Sequence, residues 1–288
     1  MGLKILITGG KGMLATDFAR VAGARGYEVV SLGREELDVT RADQVGKALE
    51  GLRPDYVFHT VGLLVDPCER DPGEGYRVHT WATGCLARHC HRIGGTLINI
   101  STCGLFGDER RYYSEYDPVV LKTGYARSKH LAELAASQHC PRTFNIRPGW
   151  MFGATPGHKK NFVYQRYLES KAKPVLKSAG DKFGCPTFTE DISGAILDLV
   201  RTEEYGLYHL TNQGGASRYE YVQRILKAFG SSSRVEMVDS SAFARLAPVP
   251  DCETLDNMNA RFLGLPALPP WEEALDRYVR KLQAEFGL

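Results

Sequence analysis

The sequence contains no apolar run that approaches the roughly 20 residues needed to cross a bilayer. Its formal net charge is only +2, which gives no basic field for nucleic acid and no polybasic signal for an anionic membrane. The seven cysteines are scattered and include no CxxC pair, which argues against a zinc ribbon or a disulfide framework. The N-terminal "MGLKILITGG" also lacks the long apolar region of a secretion signal. We therefore expect a cytoplasmic protein that acts on a small molecule, without nucleic-acid or membrane partners.

A metal site is not expected either. In "CLARHCHR", Cys85 and His89 share one face of a predicted helix, whereas His91 does not. Two ligands do not make a zinc site, so the sequence predicts no bound metal.

The first half of the chain alternates short apolar runs with amphipathic segments. Buried parallel strands are predicted at Lys4–Thr8, Glu28–Leu32, Asp55–Thr60, Thr96–Ser101 and Thr143–Arg147. Helices are predicted between them, near Leu14–Ala24, Ala42–Leu52, Tyr76–Arg92 and Tyr125–Gln138. A strand–helix series of this kind predicts the α/β class and a doubly wound parallel sheet of the Rossmann type.

The amino-acid composition changes after Pro148, where glycine, proline and aromatic residues become frequent. We expect residues 1–147 to form the Rossmann domain and residues 148–288 to form mainly a smaller α/β lobe. Helices are predicted at Thr189–Arg201, Tyr219–Phe229 and Trp271–Phe286. A segment at about 185–212 is expected to return to the first domain.

A glycine-rich loop, "TGGKGMLA", follows the first predicted strand. It fits G-x-G-x-x-A from Gly10 or G-x-x-G-x-x-A from Gly9, and both readings put glycines at a helix N-terminus. Glycine allows a tight turn and a close approach of a pyrophosphate, which the exposed N–H groups and the helix dipole stabilise. The alternative is an ordinary strand-to-helix turn, but the position after strand one favours a dinucleotide. The expected contacts are Gly9, Lys11, Gly12, Met13 and Leu14.

The end of the second predicted strand indicates which dinucleotide is bound. An NAD site usually has an acidic residue there for the ribose 2′-hydroxyl, whereas "SLGRE" offers Gly33 and Arg34. A small residue leaves room for a 2′-phosphate, and Arg34 can bind it through a bidentate contact, with Lys11 adding charge. NADPH is therefore expected, and NADH remains possible. In the alternative interpretation Arg34 is solvated, and Glu35 or Glu36 binds the ribose.

A tyrosine and a lysine stand four residues apart at the start of a predicted helix, at Tyr125 and Lys129. The preceding strand ends in hydroxyl residues, Ser101 and Thr102, and ligands of such sheets bind beyond the carboxyl ends of strands. We expect Lys129 to lower the phenol pKa of Tyr125, which then protonates a ketone that Thr102 orients. Lys129 would also hydrogen-bond the nicotinamide ribose. The alternative is a tyrosine packed under a surface lysine.

The same spacing recurs at Tyr167 and Lys171, but no strand ending in a hydroxyl residue precedes it. That second pair is interpreted as a half-buried aromatic beside a solvated lysine.

The chain resembles extended short-chain dehydrogenase/reductases, and further stretches are similar to the dTDP-4-dehydrorhamnose reductase family. These stretches are "LDVT" (37–40), "DKFGCPTFTEDI" (181–192), "YHLTN" (208–212) and "LGLPALPPWEEAL" (263–275). The resemblance implies NADPH-dependent reduction of the 4-keto group of a dTDP-4-keto-6-deoxy sugar, in deoxysugar biosynthesis. It assigns Thr102, Tyr125 and Lys129 to catalysis, the first domain to NADP and the C-terminal lobe to the nucleotide sugar. A homodimer is compatible with it.

The resemblance also implies further contacts. On the cofactor side it assigns Asp38 and Val39 near the adenine, and Thr60, Val61 and Gly62 at the end of the third strand. On the substrate side it assigns Val65, Phe106, Trp150 and Asn161. An indole suits the apolar C–H face of a sugar ring, although a core tryptophan explains Trp150 equally well.

Three departures from the family pattern affect the expected site. Cys103 and Gly104 stand where the family usually has Asp-Tyr, which removes an aromatic from the sugar side. His79 stands where an asparagine is usual, and Thr60–Gly62 replace a run of small alanines. We therefore keep two alternatives: a nucleotide-sugar epimerase, and a non-catalytic NADP-binding subunit similar to the regulatory subunit of methionine adenosyltransferase. A dehydratase is disfavoured, because Cys103 and Gly104 supply neither the acid nor the base that elimination requires.

Overall fold

The structure is a computed structural model that describes residues 2–158 and 161–287. Its strands are β1 (Lys4–Thr8), β2 (Glu28–Leu32), β3 (Tyr56–His59), β4 (Thr96–Ile100), β5 (Thr143–Pro148), β6 (Trp150–Phe152), β7 (Val175–Ala179), β8 (Phe183–Gly184), β9 (Pro186–Phe188), β10 (Gly206–Leu210), β11 (Ala216–Ser217), β12 (Arg234–Val238) and β13 (Cys252–Glu253).

The helices are α1 (Met13–Ala24), α2 (Ala42–Leu52), α3 (Val65–Arg70), α4 (Pro72–Gly75), α5 (Ala82–Arg92), α6 (Gly124–His139), α7 (Phe162–Ala172), α8 (Thr189–Val200), α9 (Arg218–Ala228), α10 (Met258–Phe262) and α11 (Trp271–Phe286). A π-helical segment covers Tyr76–Trp81, and a 3₁₀ turn covers Ser240–Ala242.

The main sheet has six strands in the order β10-β5-β4-β3-β1-β2, and all neighbouring strands are parallel. The chain runs outward from β1 to β2 and then crosses to β3 on the other side of β1. This reversal opens a crevice beyond the carboxyl ends of β1 and β3, where ligands of doubly wound sheets bind. The predicted α/β fold with a doubly wound parallel sheet is confirmed.

Helices cover both faces of this sheet, and the alternation of side chains along β1 shows how. Ile5 and Ile7 lie in one core cluster together with Phe18 of α1 and Ile192 of α8. Leu6, between them, lies in a second cluster with side chains of α2, α5 and α6. Because successive strand residues point to opposite faces, an uninterrupted apolar run produces a sheet that is buried on both sides.

Beyond β5 the chain contributes to the main sheet and its helices as well as to several smaller sheets. The helix α8 packs against α1, and β10 pairs with β5 at the edge of the main sheet. The remaining strands form small sheets, β7 with β12, β6 with β9, and β11-β8-β13. An aromatic-rich core that includes Phe152, Tyr221, Trp271 and Tyr278 joins the other two small sheets to α7, α9 and α11. The strands β7 and β12 pack against α9 in a separate small cluster.

The predicted helix Tyr76–Arg92 differs from the structure in its first part. Residues Tyr76–Trp81 form a π-helical segment, and the α-helix begins at Ala82. Hydrophobic periodicity does not distinguish the two, and short π segments are frequent at functional sites. Among the described residues, no helix combines the length and apolar character needed to cross a membrane.

Candidate active site

The glycine loop between β1 and α1 has a backbone conformation and close contacts that leave no room for a side chain at two positions. Gly9 has φ +76°, and a Cβ there would lie 3.0 Å from Val61 Cγ2. A Cβ on Gly10 would lie 2.2 Å from Ser31 Oγ. The loop therefore needs glycine at these positions, and it lies directly against the residues that follow β3, Thr60 and Val61.

The helix that follows the loop begins without a side-chain cap. Gly12 is the N-cap of α1, no acidic residue occupies the first turn, and no side chain accepts from the first N–H groups. The first residues of the helix are Met13 and Leu14. An uncapped N-terminus carries unsatisfied N–H groups and a partial positive charge, which together suit an anion.

The end of β2 combines a glycine with two cations. A Cβ on Gly33 would lie 3.2 Å from Lys11 Cε. Arg34, the next residue, is exposed. The acids of this turn are engaged within the protein: Glu36 Oε2 accepts from Gly33 N at 2.7 Å, and Glu35 pairs with Lys11 at 3.2 Å. The hydrogen bond to Gly33 N disfavours the interpretation in which Glu36 binds the ribose.

Asp38 and Val39 lie just beyond this turn. The Asp38 carboxylate accepts from Thr40 Oγ1 at 2.7 Å and from Thr40 N at 3.0 Å. These hydrogen bonds lower the pKa of Asp38, and the charges of Arg34 and Arg77 lower it further. Val39 is buried in the core. Asp38 therefore remains ionised beside Arg34.

Tyr125 lies in the first turn of α6, which is fixed at several points. Thr123 Oγ1 caps the helix by accepting from Ala126 N at 3.0 Å. Gly124 N donates to Glu69 Oε2 of α3 at 2.8 Å, and a Cβ on Gly124 would lie 2.7 Å from Cys68 O. The close contact between α3 and α6 sets the position of Tyr125 next to Thr102, at the end of β4.

Lys129 occupies the next turn of α6 and is buried. Its Nζ donates a hydrogen bond to the carbonyl oxygen of Ile100, the last residue of β4. Burial lowers the pKa of Lys129 to about 8, and the nearby Glu133 carboxylate opposes this shift. The lysine is thus anchored to the end of β4, two residues before Thr102.

The expectation that Lys129 lowers the phenol pKa of Tyr125 is wrong. Burial raises that pKa above its ordinary value, the Thr102 hydroxyl opposes the rise through a hydrogen bond, and the Glu253 carboxylate adds to the rise. Lys129, whose Nζ donates to the carbonyl oxygen of Ile100, is not among the groups that lower the phenol pKa. Tyr125 therefore stays protonated across the neutral range.

His79 connects the loop after β3 to the helix that carries Tyr125. Its Nε2 accepts from Leu63 N at 2.9 Å, so the neutral ring carries its proton on Nδ1 and donates to Ser128 Oγ at 2.8 Å. Ser128 Oγ in turn donates to the carbonyl oxygen of Tyr125 at 2.9 Å. The His79 ring also meets the Tyr125 ring edge-on, with centroids 5.4 Å apart.

Burial keeps His79 neutral and lowers its pKa to about 2. From the sequence, His79 was only a departure from the family pattern. The hydrogen bonds show that it links the cofactor-side loop to Tyr125.

Glu253, whose carboxylate contributes to the raised pKa of Tyr125, also lines a cavity of about 680 Å³. Trp150 and Glu253 line it, together with five cationic side chains: Arg166, Lys177, Lys182, Arg218 and Arg245. Trp150 Nε1 donates to Glu253 Oε2 at 2.6 Å, and the Arg218 guanidinium lies 3.4 Å from the centre of the indole ring. Sequence reasoning identified Trp150 but missed Glu253 and Arg218, which come from distant segments without a recognisable motif.

Two of the expected substrate contacts, Phe106 and Asn161, are buried and packed within the protein. Phe106 is fully buried, and its ring stacks on Tyr113 with centroids 4.6 Å apart. Asn161 is fully buried and caps α7, its Oδ1 accepting from Tyr164 N at 3.1 Å while its amide donates to Tyr278 Oη. Val65, by contrast, opens α3 and is half-buried near Gly62 in the loop after β3.

The cysteine beside Thr102 has no sign of reactivity. Cys103 is buried, and its pKa is raised by burial and by the Glu253 carboxylate, so its thiol remains protonated. Among residues 2–158 and 161–287, no group of three or more His, Cys, Asp or Glu is arranged to hold a metal ion.

Comparisons with known proteins agree with this arrangement. The profile of the family described as RmlD substrate binding domain matches residues 3–284. A dTDP-4-dehydrorhamnose reductase from Mycolicibacterium smegmatis is 30% identical over 97% of this chain and 86% of its own length. A probable dTDP-4,6-dihydroxy-2-methyloxan-3-one 4-ketoreductase from Streptomyces antibioticus is 31% identical, over 95% of this chain and 93% of the relative.

Among solved structures, dTDP-4-dehydrorhamnose reductase from Bacillus anthracis, in complex with NADP, superposes with a TM-score of 0.94. It is 25% identical, and the match covers 98% of this chain and 100% of that structure. The chain belongs to the RmlD family, that of the dTDP-4-dehydrorhamnose reductases.

Proposed function

We propose that the protein is an NADPH-dependent reductase of the 4-keto group of a dTDP-linked 4-keto-6-deoxy sugar, acting in deoxysugar biosynthesis in the cytoplasm. The observation that carries this proposal is the position of Tyr125. It lies beside Thr102, on the helix that carries Lys129, hydrogen bonds through His79 join it to the loop after β3, and Glu253 joins it to the cationic cavity. Residues 1–147 would mainly hold the cofactor, and residues 148–288 mainly the sugar nucleotide.

The residues around the crevice fit a dinucleotide. The uncapped N-terminus of α1 suits a pyrophosphate, and the glycine loop leaves space that a Cβ would fill. Met13 and Leu14 would offer backbone N–H groups, Asp38 and Val39 would lie near the adenine, and Thr60–Gly62 would line the crevice. NADPH supplies a hydride when it is bound.

The proposed chemistry uses three side chains. Thr102 and Tyr125 donate hydrogen bonds to the ketone oxygen, which orients the carbonyl carbon. Tyr125 would transfer its proton to that oxygen, and bound NADPH would supply the hydride for the carbon, so that the ketone becomes an alcohol. The resulting phenolate takes a proton back from solvent. Lys129 would hydrogen-bond the nicotinamide ribose.

The cavity suits a sugar nucleotide. Its volume of about 680 Å³ lies within the usual range for small-molecule sites of roughly 300–1,000 Å³. Five cations against two acids, Asp239 and Glu253, suit a diphosphate. The dTDP linkage is proposed because close relatives carry it in their names.

A turnover assay distinguishes the proposed activity from its alternatives. We expect the purified chain to oxidise NADPH with a 4-keto-6-deoxy sugar linked to dTDP, and more slowly with the UDP- and GDP-linked forms. Conversion of the sugar without net consumption of NADPH would indicate an epimerase. Binding of NADPH without turnover across the whole panel would indicate a regulatory subunit.

Removing the cation at the end of β2 should change the cofactor preference. Arg34→Ala is expected to weaken NADPH binding by about 10- to 100-fold, because a charge-assisted contact to the 2′-phosphate is lost. NADH binding should change by less than about threefold. Fluorescence titration of both cofactors measures the difference.

The matched control is Arg41→Ala, which removes another exposed arginine of the same region whose partner is Asp43. It should leave both dissociation constants unchanged. An equal loss of NADPH and NADH affinity in Arg34→Ala would show that Arg34 does not bind the 2′-phosphate.

The reaction should also depend on the charge of Lys129. Its pKa of about 8 means that the ammonium is present below pH 8 and is lost above it. We expect kcat/KM for the keto sugar to be level near pH 7 and to fall about tenfold per pH unit well above pH 8. A profile that stays level to pH 9.5, in a protein whose circular dichroism is unchanged, would contradict this role.

A further inference from the structure

The glycine after Cys103 leaves a space that a distant carboxylate occupies. A Cβ on Gly104 would lie 2.9 Å from Glu253 Oε1 and 3.5 Å from Thr102 Oγ1. Gly104 thus lies between Thr102 and Glu253, and any side chain there would push Glu253 away. Glu253 therefore reaches the part of the site where the ketone is expected to lie.

The two oxygens of Glu253 have different surroundings. Oε2 accepts the indole N–H of Trp150 at 2.6 Å. Oε1 accepts no hydrogen bond from any residue that the structure describes, and it faces Gly104. The Arg218 guanidinium, which lies over the same indole, supplies a compensating positive charge. The carboxylate is therefore held in place, with one oxygen still open to a hydrogen-bond donor.

We propose that Glu253 is a specificity-determining residue, whose Oε1 accepts a hydrogen bond from a ring hydroxyl of the sugar next to the reacting ketone. This inference rests on the proposed function, because it specifies the substrate of the same site. The preferred substrates are then 4-keto sugars that keep a hydroxyl beside the ketone, and the corresponding deoxy sugars are disfavoured.

The preference follows from the chemistry of an ionised carboxylate. Such a group only accepts hydrogen bonds, and a sugar that enters the cavity displaces the water around it. A hydroxyl replaces that water, whereas a C–H group leaves the charged oxygen without a partner. Leaving such a group unpaired is expected to reduce kcat/KM by about 10- to 100-fold.

The direct test compares two substrates in two proteins. The substrates are dTDP-4-keto-6-deoxyglucose and its 3-deoxy analogue, and the readout is the ratio of their kcat/KM values. The wild type should prefer the hydroxylated sugar by at least about tenfold. In Glu253→Ala, kcat/KM for the hydroxylated sugar should fall until it agrees within about threefold with the value for the 3-deoxy sugar. The kcat/KM of the 3-deoxy sugar itself should change little. An equal loss for both sugars would mean that Glu253 acts only by holding Trp150, and would overturn the proposal.

Two further variants define the effect. Glu253→Gln keeps an acceptor and the shape of the side chain, so it should retain part of the preference. Asp256→Asn, three residues along the same segment, changes a carboxylate that pairs with Arg261 instead, and it should leave the ratio unchanged. A lost preference in Asp256→Asn would indicate a general effect of this segment.

A binding measurement separates this inference from the proposed reaction. Calorimetry with dTDP-6-deoxyglucose and with dTDP alone gives the affinity that the sugar adds, without any turnover. Glu253→Ala should lose that added affinity while binding dTDP normally. A wild type that shows the added affinity but no reduction would disprove the reaction and not the contact. Unchanged sugar affinity in Glu253→Ala would disprove the contact and not the reaction.

Discussion

Tyr125→Phe is expected to lower kcat/KM for reduction of the keto sugar by about a thousandfold, while the dissociation constant for NADPH changes by less than about threefold. The substitution removes the proposed proton donor but keeps the ring, which packs edge-on against His79. Because the pKa of the phenol is raised by burial, the wild-type side chain is protonated at neutral pH. Stopped-flow oxidation of NADPH and fluorescence titration measure the two quantities separately.

The chain offers a matched control at Tyr167, which also has a lysine four residues later. Lys171 Nζ lies 5.0 Å from the centre of the Tyr167 ring, and that ring stacks on Phe229 away from the crevice. Tyr167→Phe should therefore leave turnover unchanged. Retained turnover in Tyr125→Phe would show that another group donates the proton.

The second large effect is a loss of stability in mild acid. Three histidines are almost completely buried, and burial lowers their pKa values to about 3 for His59, about 2 for His79 and about 3 for His209. Among the residues that the structure describes, His59 has a hydrogen-bond partner only at Nδ1, where Thr8 Oγ1 lies at 2.7 Å, and His209 Nε2 lies 3.4 Å from Arg147 Nη1. Neither environment accommodates an imidazolium.

The sign of the effect follows from proton binding. Below about pH 6.5 the unfolded chain protonates these histidines and the folded chain does not, so the free energy of unfolding falls as the pH falls. Each histidine contributes a slope of about 1.4 kcal/mol per pH unit until its folded pKa is reached. The three together give about 4 kcal/mol per pH unit, which is large against a typical total of about 5–15 kcal/mol.

Urea unfolding at pH 7.0, 6.0 and 5.5 measures this slope. We expect the protein to lose most of its stability by about pH 5. His209→Gln keeps a polar side chain that does not titrate in this range, and it should reduce the slope by about one proton. Stability that is constant between pH 7 and 5.5 would contradict the account of the three histidines as buried neutral groups.

The parts of the fold that the sequence predicts well are those with a local signal. The apolar run Lys4–Thr8 and the glycines after it define β1 and the start of α1, because burial on both faces and a tight turn each restrict residue type. The pair Tyr125 and Lys129 was found in the same way, since a one-turn spacing on a helix is visible in the sequence.

The features of the site that the sequence does not predict depend on contacts between distant segments of the chain. Glu253 reaches the site because Gly104, almost 150 positions earlier, leaves space for it, and no local pattern reports that. Asn161 was assigned to the substrate by resemblance, whereas its buried amide caps α7. The raised pKa of Tyr125 was not predicted because residue spacing does not show how deeply the phenol is buried.

We propose that a sugar ketone receives a hydride from NADPH and a proton from Tyr125. The most direct test uses NADPH deuterated at the transferable C4 position and dTDP-4-keto-6-deoxyglucose, with NMR and mass analysis of the product. If Tyr125 acts as proposed, the product carries one deuterium at sugar C4, and one NADP⁺ is formed for each alcohol. Product without deuterium at C4, or a changed sugar without NADP⁺, would contradict this proposal.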